Sequence, residues 1–476
     1  MPAAVRRNWL FGFAAVALLI LVIEVILRFA VNLSIDYLSR REDVNYEFRL
    51  WQMHLFNNFM GMHEPDGELF WKLKPNYRSR FITVNADGMA GPEIAPKAAG
   101  ELRILFLGDS TPLGLGLPNT EDSFVRQLET ILRRQLPERP VTVINAAVAG
   151  YSSWQCLRQL ELLGDRLQPD LVIAYVGNND PSINGYLSDR ELYAQTRYSG
   201  WLNRFLGNFY SYQLLKGIVL RVKAQPMEGK VLKPRVTPEE NRENLAAISE
   251  WCARHKSGLM ICAPATPDLW PPGIQFKVFA HGQDAEGRLV MAEEMQQRLA
   301  GTWALCLDTL LLPGRSDQWT QQVYRLGEVV VDAAGKRLPD DSSDPRAWNN
   351  HGVAAWRNGL PATADFERAI VLDSLNPIPH YNLGVALYRS DPTRAREQLR
   401  CAKELDDFSL RIKPLYVQNY RDFCRDHTLP LADIDSLLRD LPENEYFVDH
   451  CHPTLRGHEL IAAYLAELVS AWCKRL

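Results

Sequence analysis

The stretch LRILFLGDST, residues 102–111, decides the reading of this chain. Its first six residues are apolar apart from Arg103, as in a strand buried on both faces, and the run stops at Gly108, where the backbone can turn. Parallel strands buried in this way need helical crossovers, and the sequence supplies them. Residues 121–136 carry Phe124, Leu128, Ile131 and Leu132 at helical spacing. VTVIN at 141–145 reads as a second strand, 152–167 as a second helix and LVIAYV at 171–176 as a third strand. Thr237-Pro238-Glu239-Glu240 has the order of a helix start, with Thr as cap, Pro at the first position and an acid at the third. That helix runs to about His255, and a fourth strand follows at 258–263. The alternation predicts an α/β fold, a parallel sheet with helices on both faces. Ligands of such sheets bind beyond the carboxyl ends of the strands, so the chemistry belongs just after each strand.

Downstream the alternation stops. From 286 to 406 helices dominate, and Trp348-x-x-x-Gly352 recurs as His380-x-x-x-Gly384, a period of 384 − 352 = 32 residues. Phe366-x-x-Ala369 follows the first copy and Leu399-x-x-Ala402 the second. This segment resembles the tetratricopeptide repeat, although Ala355 stands where a bulky aromatic is usual. Two repeats need neighbours, so helices within 286–340 are expected to stack with them. A plain helical insertion is the other reading. The α/β pattern resumes at 407, with a short last strand at 430–434 and a closing helix at 454–473.

Upstream, residues 9–31 are apolar apart from Gly12, Glu24 and Arg28, which is long enough to cross a bilayer. Glu24 and Arg28 lie four apart on one helical face and can pair. A cleaved signal peptide is the rival, but the run is long for one and no small-x-small site follows. Arg6 and Arg7 precede the span, so the expected orientation is amino terminus in the cytoplasm and body outside, periplasmic in a bacterium. The expected division is an anchor at 9–31, an approach region at 32–100, the first part of the α/β domain at 101–285, a helical insertion at 286–406 and the second part at 407–476. A helical cap is expected at about 182–235.

With 53 Lys+Arg against 57 Asp+Glu, no basic excess is left to neutralise a nucleic-acid backbone. The eight cysteines are scattered without a C-x-x-C, so neither a zinc ribbon nor a thioredoxin motif is indicated. No motif calls for a cofactor or a metal.

Four blocks fall where the sheet argument places chemistry: Gly108-Asp109-Ser110 after strand one, Asn145 to Gly150 after strand two, Gly177-Asn178-Asn179-Asp180 after strand three, and Asp449-His450-Cys451-His452 before the last helix. Singly, each has a structural reading: a chance tripeptide, a turn glycine, a loop, a histidine beside a helix start. Jointly they hold every part an acyl-transfer site needs. A serine hydroxyl is a weak nucleophile until a base takes its proton. His452 can do that for Ser110, and Asp449, three residues earlier, can fix its tautomer. The N–H groups of Ser110 and Gly150 and the Asn179 amide can stabilise the oxyanion.

At these blocks the chain resembles the SGNH (GDSL-type) serine hydrolase superfamily: GDST at 108–111, Gly150, GNND at 177–180 and D-x-x-H at 449–452. The resemblance implies a flavodoxin-like sheet, Ser110 as nucleophile, His452 as base, Asp449 as its partner, and Ser110, Gly150 and Asn179 as oxyanion donors. It extends to KPN at 74–76, NADGMAGPE at 85–93 and HPTLRGHELIAAYL at 452–465. Thr111 stands where leucine is common in the family, and Met89-Ala90 where relatives often carry an aromatic and an arginine; neither departure is expected to touch the chemistry. Elbow (G-x-S-x-G), S-x-x-K, H-E-x-x-H and P-loop motifs are absent. Cys451 reads as a packing residue, and His450 and His458 are the alternatives for the base.

The leading expectation is hydrolysis of an acetyl or acyl ester on an envelope glycan or lipid. An O-acyltransferase acting on an exopolysaccharide with the same triad is the first alternative, and an inactive scaffold that recruits a protein through its repeats is the second.

Overall fold

Strands of largely apolar sequence pair here into one five-stranded parallel sheet. They are β1 (Leu102–Gly108), β2 (Val141–Asn145), β3 (Leu171–Tyr175), β4 (Gly258–Ala263) and β5 (Leu431–Asp433). Their order across the sheet is β5-β4-β3-β1-β2, with every neighbouring pair parallel. This is the flavodoxin-like order, and it reverses direction at β1, which opens a crevice at the carboxyl ends of β1 and β3. The computed structural model from which this is read describes residue 12, 14–30, 62–196, 206, 209–212, 215, 231–272, 281–283, 289–291, 343, 345–357, 359–406 and 409–475. The chain forms two compact units: Met1–Pro96, Leu115–Asp122 and Tyr193–Gln225 in one, Lys97–Gly114, Ser123–Leu192 and Pro226–Leu476 in the other.

The second unit holds the sheet. β1 is buried along its whole length. Its one charged residue, Arg103, sits near the start, where it pairs with Glu101 at 2.9 Å and donates to the Leu167 carbonyl. Strand alternation turns Leu102, Ile104 and Phe106 to a core shared with helices α1 (Phe124–Gln135) and α9 (Leu455–Cys473). The other layer comprises α2 (Ser153–Leu167), α3 (Pro238–Arg254) and α8 (Pro414–Asp426), with α3 packing against both α2 and α8. Two helix starts are capping boxes: Ser152 with Gln155 opens α2, and Thr237 with Glu240 opens α3, where Pro238 occupies the first turn.

The helical insertion belongs to this same unit. Its described helices are α4 (Pro345–Arg357), α5 (Thr363–Leu372), α6 (Pro377–Leu387) and α7 (Pro392–Leu405). They share a core of Val353, Phe366, Tyr381, Leu383 and Leu399. The 32-residue period has a physical counterpart. A Cβ on Gly352 would lie 2.6 Å from the Phe366 ring, and one on Gly384 would lie 2.6 Å from Leu399 Cγ, so in each copy a glycine lets the second helix close onto the first. The Asn382 amide donates to Asn349 Oδ1 at 2.7 Å, a hydrogen bond between one copy and the other. The stack is tied to the chain leaving β4: the Tyr381 hydroxyl donates to the Leu269 carbonyl at 2.7 Å and Lys403 to that of Thr266 at 3.0 Å. Of the flanking helices expected within 286–340, residues 292–340 lie outside the described residues. Leu289–Met291 instead form a strand paired antiparallel with His281–Gln283.

The expected cap at 182–235 is closed at its base, where Ile183–Gly185 pair with Lys233–Pro234. Most of residues 197–230 lie outside the described residues. In the first unit, residues 14–30 are helical and expose Leu18, Leu19, Leu21, Val25, Ile26 and Phe29. Glu24 pairs with Arg28 at 2.8 Å, as their spacing implies, and accepts from the N–H groups of Tyr210 and Ser211. Among the described residues no helix is long and apolar enough to cross a membrane. Both ends of the 9–31 run lie outside the described residues, as do residues 32–61 of the approach region. In the described part of that region the NADGMAGPE block is a folded turn: the Asn85 carboxamide accepts from the N–H groups of Asp87 and Met89 and donates to the Pro92 carbonyl.

Gly384→Val drives a branched side chain into Leu399 and is expected to lower stability by about 1–3 kcal/mol. A fall in the melting temperature followed by circular dichroism checks it; an unchanged melt would mean that α6 and α7 are not packed this closely.

Candidate active site

The turn that carries Ser110 begins where β1 ends. Gly108 has no room for a side chain, since a Cβ would lie 2.3 Å from Pro112 and 2.9 Å from the Tyr175 carbonyl. Asp109 then caps a single helical turn, Ser110–Leu113, its carboxylate accepting from the Thr111 N–H at 2.9 Å. Ser110 is thereby held at the start of that turn, at the carboxyl edge of the sheet. The second block is tied to the first through the Ala146 N–H on the Phe106 carbonyl and the Val148 N–H on the Gly108 carbonyl.

The fourth block arrives on the loop before α9. The Asp449 carboxylate accepts from the backbone N–H groups of Cys451 and His452 at 3.0 and 2.9 Å, and its second oxygen lies 2.7 Å from His452 Nδ1. The Val448 N–H donates to the His452 carbonyl and closes the loop. His452 Nε2 lies 2.8 Å from Ser110 Oγ. With Nδ1–H directed at Asp449, Nε2 accepts from the Ser110 hydroxyl, which is the geometry a general base needs. Ser110, His452 and Asp449 are therefore brought into one chain across 452 − 110 = 342 residues of sequence.

Electrostatics follow from burial and pairing. Burial by itself would lower the basicity of His452; the Asp449 carboxylate outweighs it and holds the imidazolium pKa well above its ordinary 6.5. Burial would likewise raise the Asp449 carboxyl, but His452, His450 and the Cys451 N–H keep it far below the usual carboxylate range. Two other carboxyls are pushed up to about 6 by burial, Asp109 and Asp180. Their folded values exceed the unfolded reference of about 4. The stability they favour is therefore present below that reference and lost as pH rises through about 6. Asp180 lies in the third block and receives the Ser153 hydroxyl and the Asn241 amide.

Gly150 sits in a turn from Val148 to Tyr151, closed by the Tyr151 N–H on the Val148 carbonyl. Its φ of 81° at the third position is that of a type II turn, which glycine adopts without strain. Among the described residues the N–H groups of Ser110 and Gly150 are not taken up by any acceptor. The Asn179 amide, partly exposed, donates to the Tyr151 carbonyl at 3.0 Å and keeps a second N–H. The three expected oxyanion donors thus stand on the turns that follow β1, β2 and β3.

The alternatives for the base fall elsewhere. His458 Nδ1 accepts from the Phe124 N–H at 3.0 Å, capping α1, and burial lowers its pKa to about 3, so it is a neutral acceptor. His450 Nδ1 is 3.6 Å from Asp449 and its ring lies against Trp270. Cys451 Sγ is 3.7 Å from both ring nitrogens of His452, beside the ring rather than in line with either. Asp449, His450 and Cys451 could each offer a metal one ligand atom, within 4.8 Å of one another. The Asp449 oxygens already accept from His452 and two backbone N–H groups, so this trio is organised around the imidazole.

Thr111 has a structural part: its hydroxyl donates to the Cys451 carbonyl at 3.3 Å and receives the Asn178 amide at 3.3 Å, joining the first, third and fourth blocks. A leucine could make neither bond. Sequence reading also passed over Arg235, which reaches the Gly150 carbonyl at 2.6 Å and belongs to no motif.

Residues 106–275 match the protein family described as GDSL-like Lipase/Acylhydrolase, a segment that ends well before the Asp449–His452 loop. No curated protein matches the chain. Among solved structures it is similar to LAE5, an alpha/beta hydrolase enzyme from the metagenome of Lake Arreo, Spain, at 14% identity over 77% of this chain and 94% of that one, with a TM-score of 0.32. It is also similar to the acetyl xylan esterase AlAXEase, at 11% identity over 77% and 99% with a TM-score of 0.33. For a lipase/acylhydrolase from Enterococcus faecalis the values are 13%, 78%, 95% and 0.31. The chain carries a GDSL-like acylhydrolase domain, and the protein is an ester-hydrolysing enzyme.

A base must be neutral to take a proton, so activity is expected to rise with pH on a limb lying above 6.5. Asp449→Asn removes the attraction that raises His452: the limb should move to lower pH while kcat falls by on the order of 10⁴. A pH–rate profile that Asp449→Asn leaves unmoved would detach Asp449 from the base.

Proposed function

We propose that the protein is a serine esterase that cleaves an acetyl or acyl ester on an envelope glycan or lipid through a Ser110 acyl-enzyme. The observation that carries this reading is the unbroken contact series from Asp449 through His452 to Ser110 Oγ, at 2.7 and 2.8 Å. Ser110 Oγ attacks the ester carbonyl carbon while its proton passes to His452 Nε2. The carbonyl oxygen becomes an oxyanion, received by the N–H groups of Ser110 and Gly150 and the Asn179 amide. The C–O bond to the leaving alcohol then breaks, and the alkoxide takes the proton from His452. Water, deprotonated by the same imidazole, attacks the acyl-serine; the acid leaves and the Ser110 proton returns.

The test uses purified protein, a fluorophosphonate probe and p-nitrophenyl esters of acetyl and longer acyl chains. Wild-type protein should label at Ser110 and release nitrophenol, and Ser110→Ala should lose both without a change in melting temperature. Labelling at another residue would overturn the nucleophile. Labelling with ester turnover only when a sugar alcohol is supplied would reassign the protein as an acyltransferase.

The reading includes a retained anchor at 9–31 with the catalytic unit outside the cytoplasm. Support comes from the exposed apolar side chains along residues 14–30 and from Arg6 and Arg7 before them. The protein is expected to stay with membranes through a carbonate wash, and a reporter fused after Leu476 to be active only outside the cytoplasm. Recovery of a soluble form with a shortened amino terminus would replace the anchor by a cleaved signal.

A further inference from the structure

Arg235 is a charged side chain buried to 5% relative exposure at the base of the cap segment. Its backbone is fixed there by the Arg235 N–H on the Ser182 carbonyl and the Asp189 N–H on the Arg235 carbonyl. The guanidinium divides its donors three ways. One nitrogen meets the Gly150 carbonyl at 2.6 Å, a second meets Gln155 Oε1 at 2.6 Å and Asp189 at 2.8 Å, and Nε lies 3.2 Å from both Asp189 oxygens. Asp189 in turn receives the Ser152 hydroxyl at 2.7 Å, and Ser152 with Gln155 forms the capping box that opens α2.

Burying a guanidinium–carboxylate pair is costly, and an apolar pair of equal volume often serves stability as well or better. What an apolar pair could not do is hold a backbone carbonyl. The planar fork can, because its donors lie in fixed directions. The carbonyl it holds ends the turn whose central peptide carries the Gly150 N–H. The other end of that turn is pinned by the Val148 N–H on the Gly108 carbonyl. With both ends fixed and φ of Gly150 at 81°, the central peptide keeps one face toward the site. Freed at one end, a glycine-containing turn can exchange type II for type I, which rotates that peptide and turns its N–H away.

We propose that Arg235 is a positioning residue for the oxyanion site, its guanidinium clamping the Gly150 carbonyl so that the Gly150 N–H stays aimed at the developing charge. The proposal rests on the esterase reading of this site. It ties the catalytic turn to the short ladder of Ile183–Gly185 with Lys233–Pro234, because Arg235 follows that ladder directly and pairs with Asp189.

The experiment compares full-length wild type with Arg235→Lys and with the double variant Arg235→Met/Asp189→Asn, which removes both charges at similar volume. Sites are counted by fluorophosphonate labelling, so that kcat refers only to competent molecules, and KM, melting temperature and inhibition by a trifluoromethyl ketone are measured alongside. The ketone forms a hemiketal oxyanion on the serine and reports on the donors directly. For the double variant, kcat per labelled site should fall by on the order of 10–100-fold with KM unchanged, below the full loss of a donor, and the ketone should weaken in parallel. Lysine retains the charge but cannot serve Gly150, Gln155 and Asp189 together, so Arg235→Lys should lie between, at least about threefold down. Should the double variant fail to fold, Arg235→Lys decides by the same measures. Parental kcat per site and parental ketone affinity, whatever the melting temperature, would reduce Arg235 to a structural residue and overturn the proposal. A wild-type protein that neither labels nor hydrolyses esters would instead remove the esterase reading, a separate outcome.

Discussion

The pairing of β1 with β3, in register from Ile104 opposite Leu171 to Gly108 opposite Tyr175, sets where every later part of the site must fall. Because the two strands end level, the turn carrying Ser110 and the turn carrying Asn179 leave the sheet side by side. β2 lies on the far side of β1, with Asn145 opposite Phe106, so its own turn comes forward to meet the Gly108 carbonyl. A slip of one residue would send the side chains of β1 to the opposite layers and carry Ser110 off the edge. Close packing resists that slip, since the side chains on both faces of β1 are buried.

From this constraint the polar parts acquire their roles. Around the strand ends buried polar groups pair with one another: Asp180 with Ser153 and Asn241, Thr111 with Cys451 and Asn178, Arg235 with Asp189 and Gly150. Each bond joins residues distant in sequence, and together they hold the blocks at spacings that apolar packing alone leaves adjustable.

The sheet and the candidate triad were legible because they rest on local signals. Strand β1 is an apolar run broken only by Arg103, α3 announces itself through Thr237, Pro238 and Glu240, and Ser110, His452 and Asp449 sit in short blocks whose residue types have a chemical reason to occur together. The two glycines at positions 352 and 384 are likewise visible as a period, and their physical role, admitting Phe366 and Leu399, is local to each helix pair. What could not be read depends on contacts between segments far apart. Thr111 looks like a neutral departure until the Cys451 carbonyl, 451 − 111 = 340 residues later, arrives beside it. Arg235 sits in no motif, and its partner Gly150 is 235 − 150 = 85 residues earlier. His458 is a plausible base in sequence, and only the orphaned N–H of Phe124 at the start of α1 explains it as a cap.

The separation between the two halves of the sheet also has a temporal side. Ribosomes deliver the chain from its amino terminus, so β1 to β4 can associate while β5 and α9 are still unmade. During that interval β4 is an open edge, with backbone groups that will later bond to Leu431–Asp433 still facing solvent, the state most exposed to wrong partners. Closure over so long a span is slow compared with local helix formation. On the proposed mechanism the serine spends that time without its imidazole, so the nascent protein would be chemically silent, and hydrolytic power would appear only when the last helix docks and the edge is sealed.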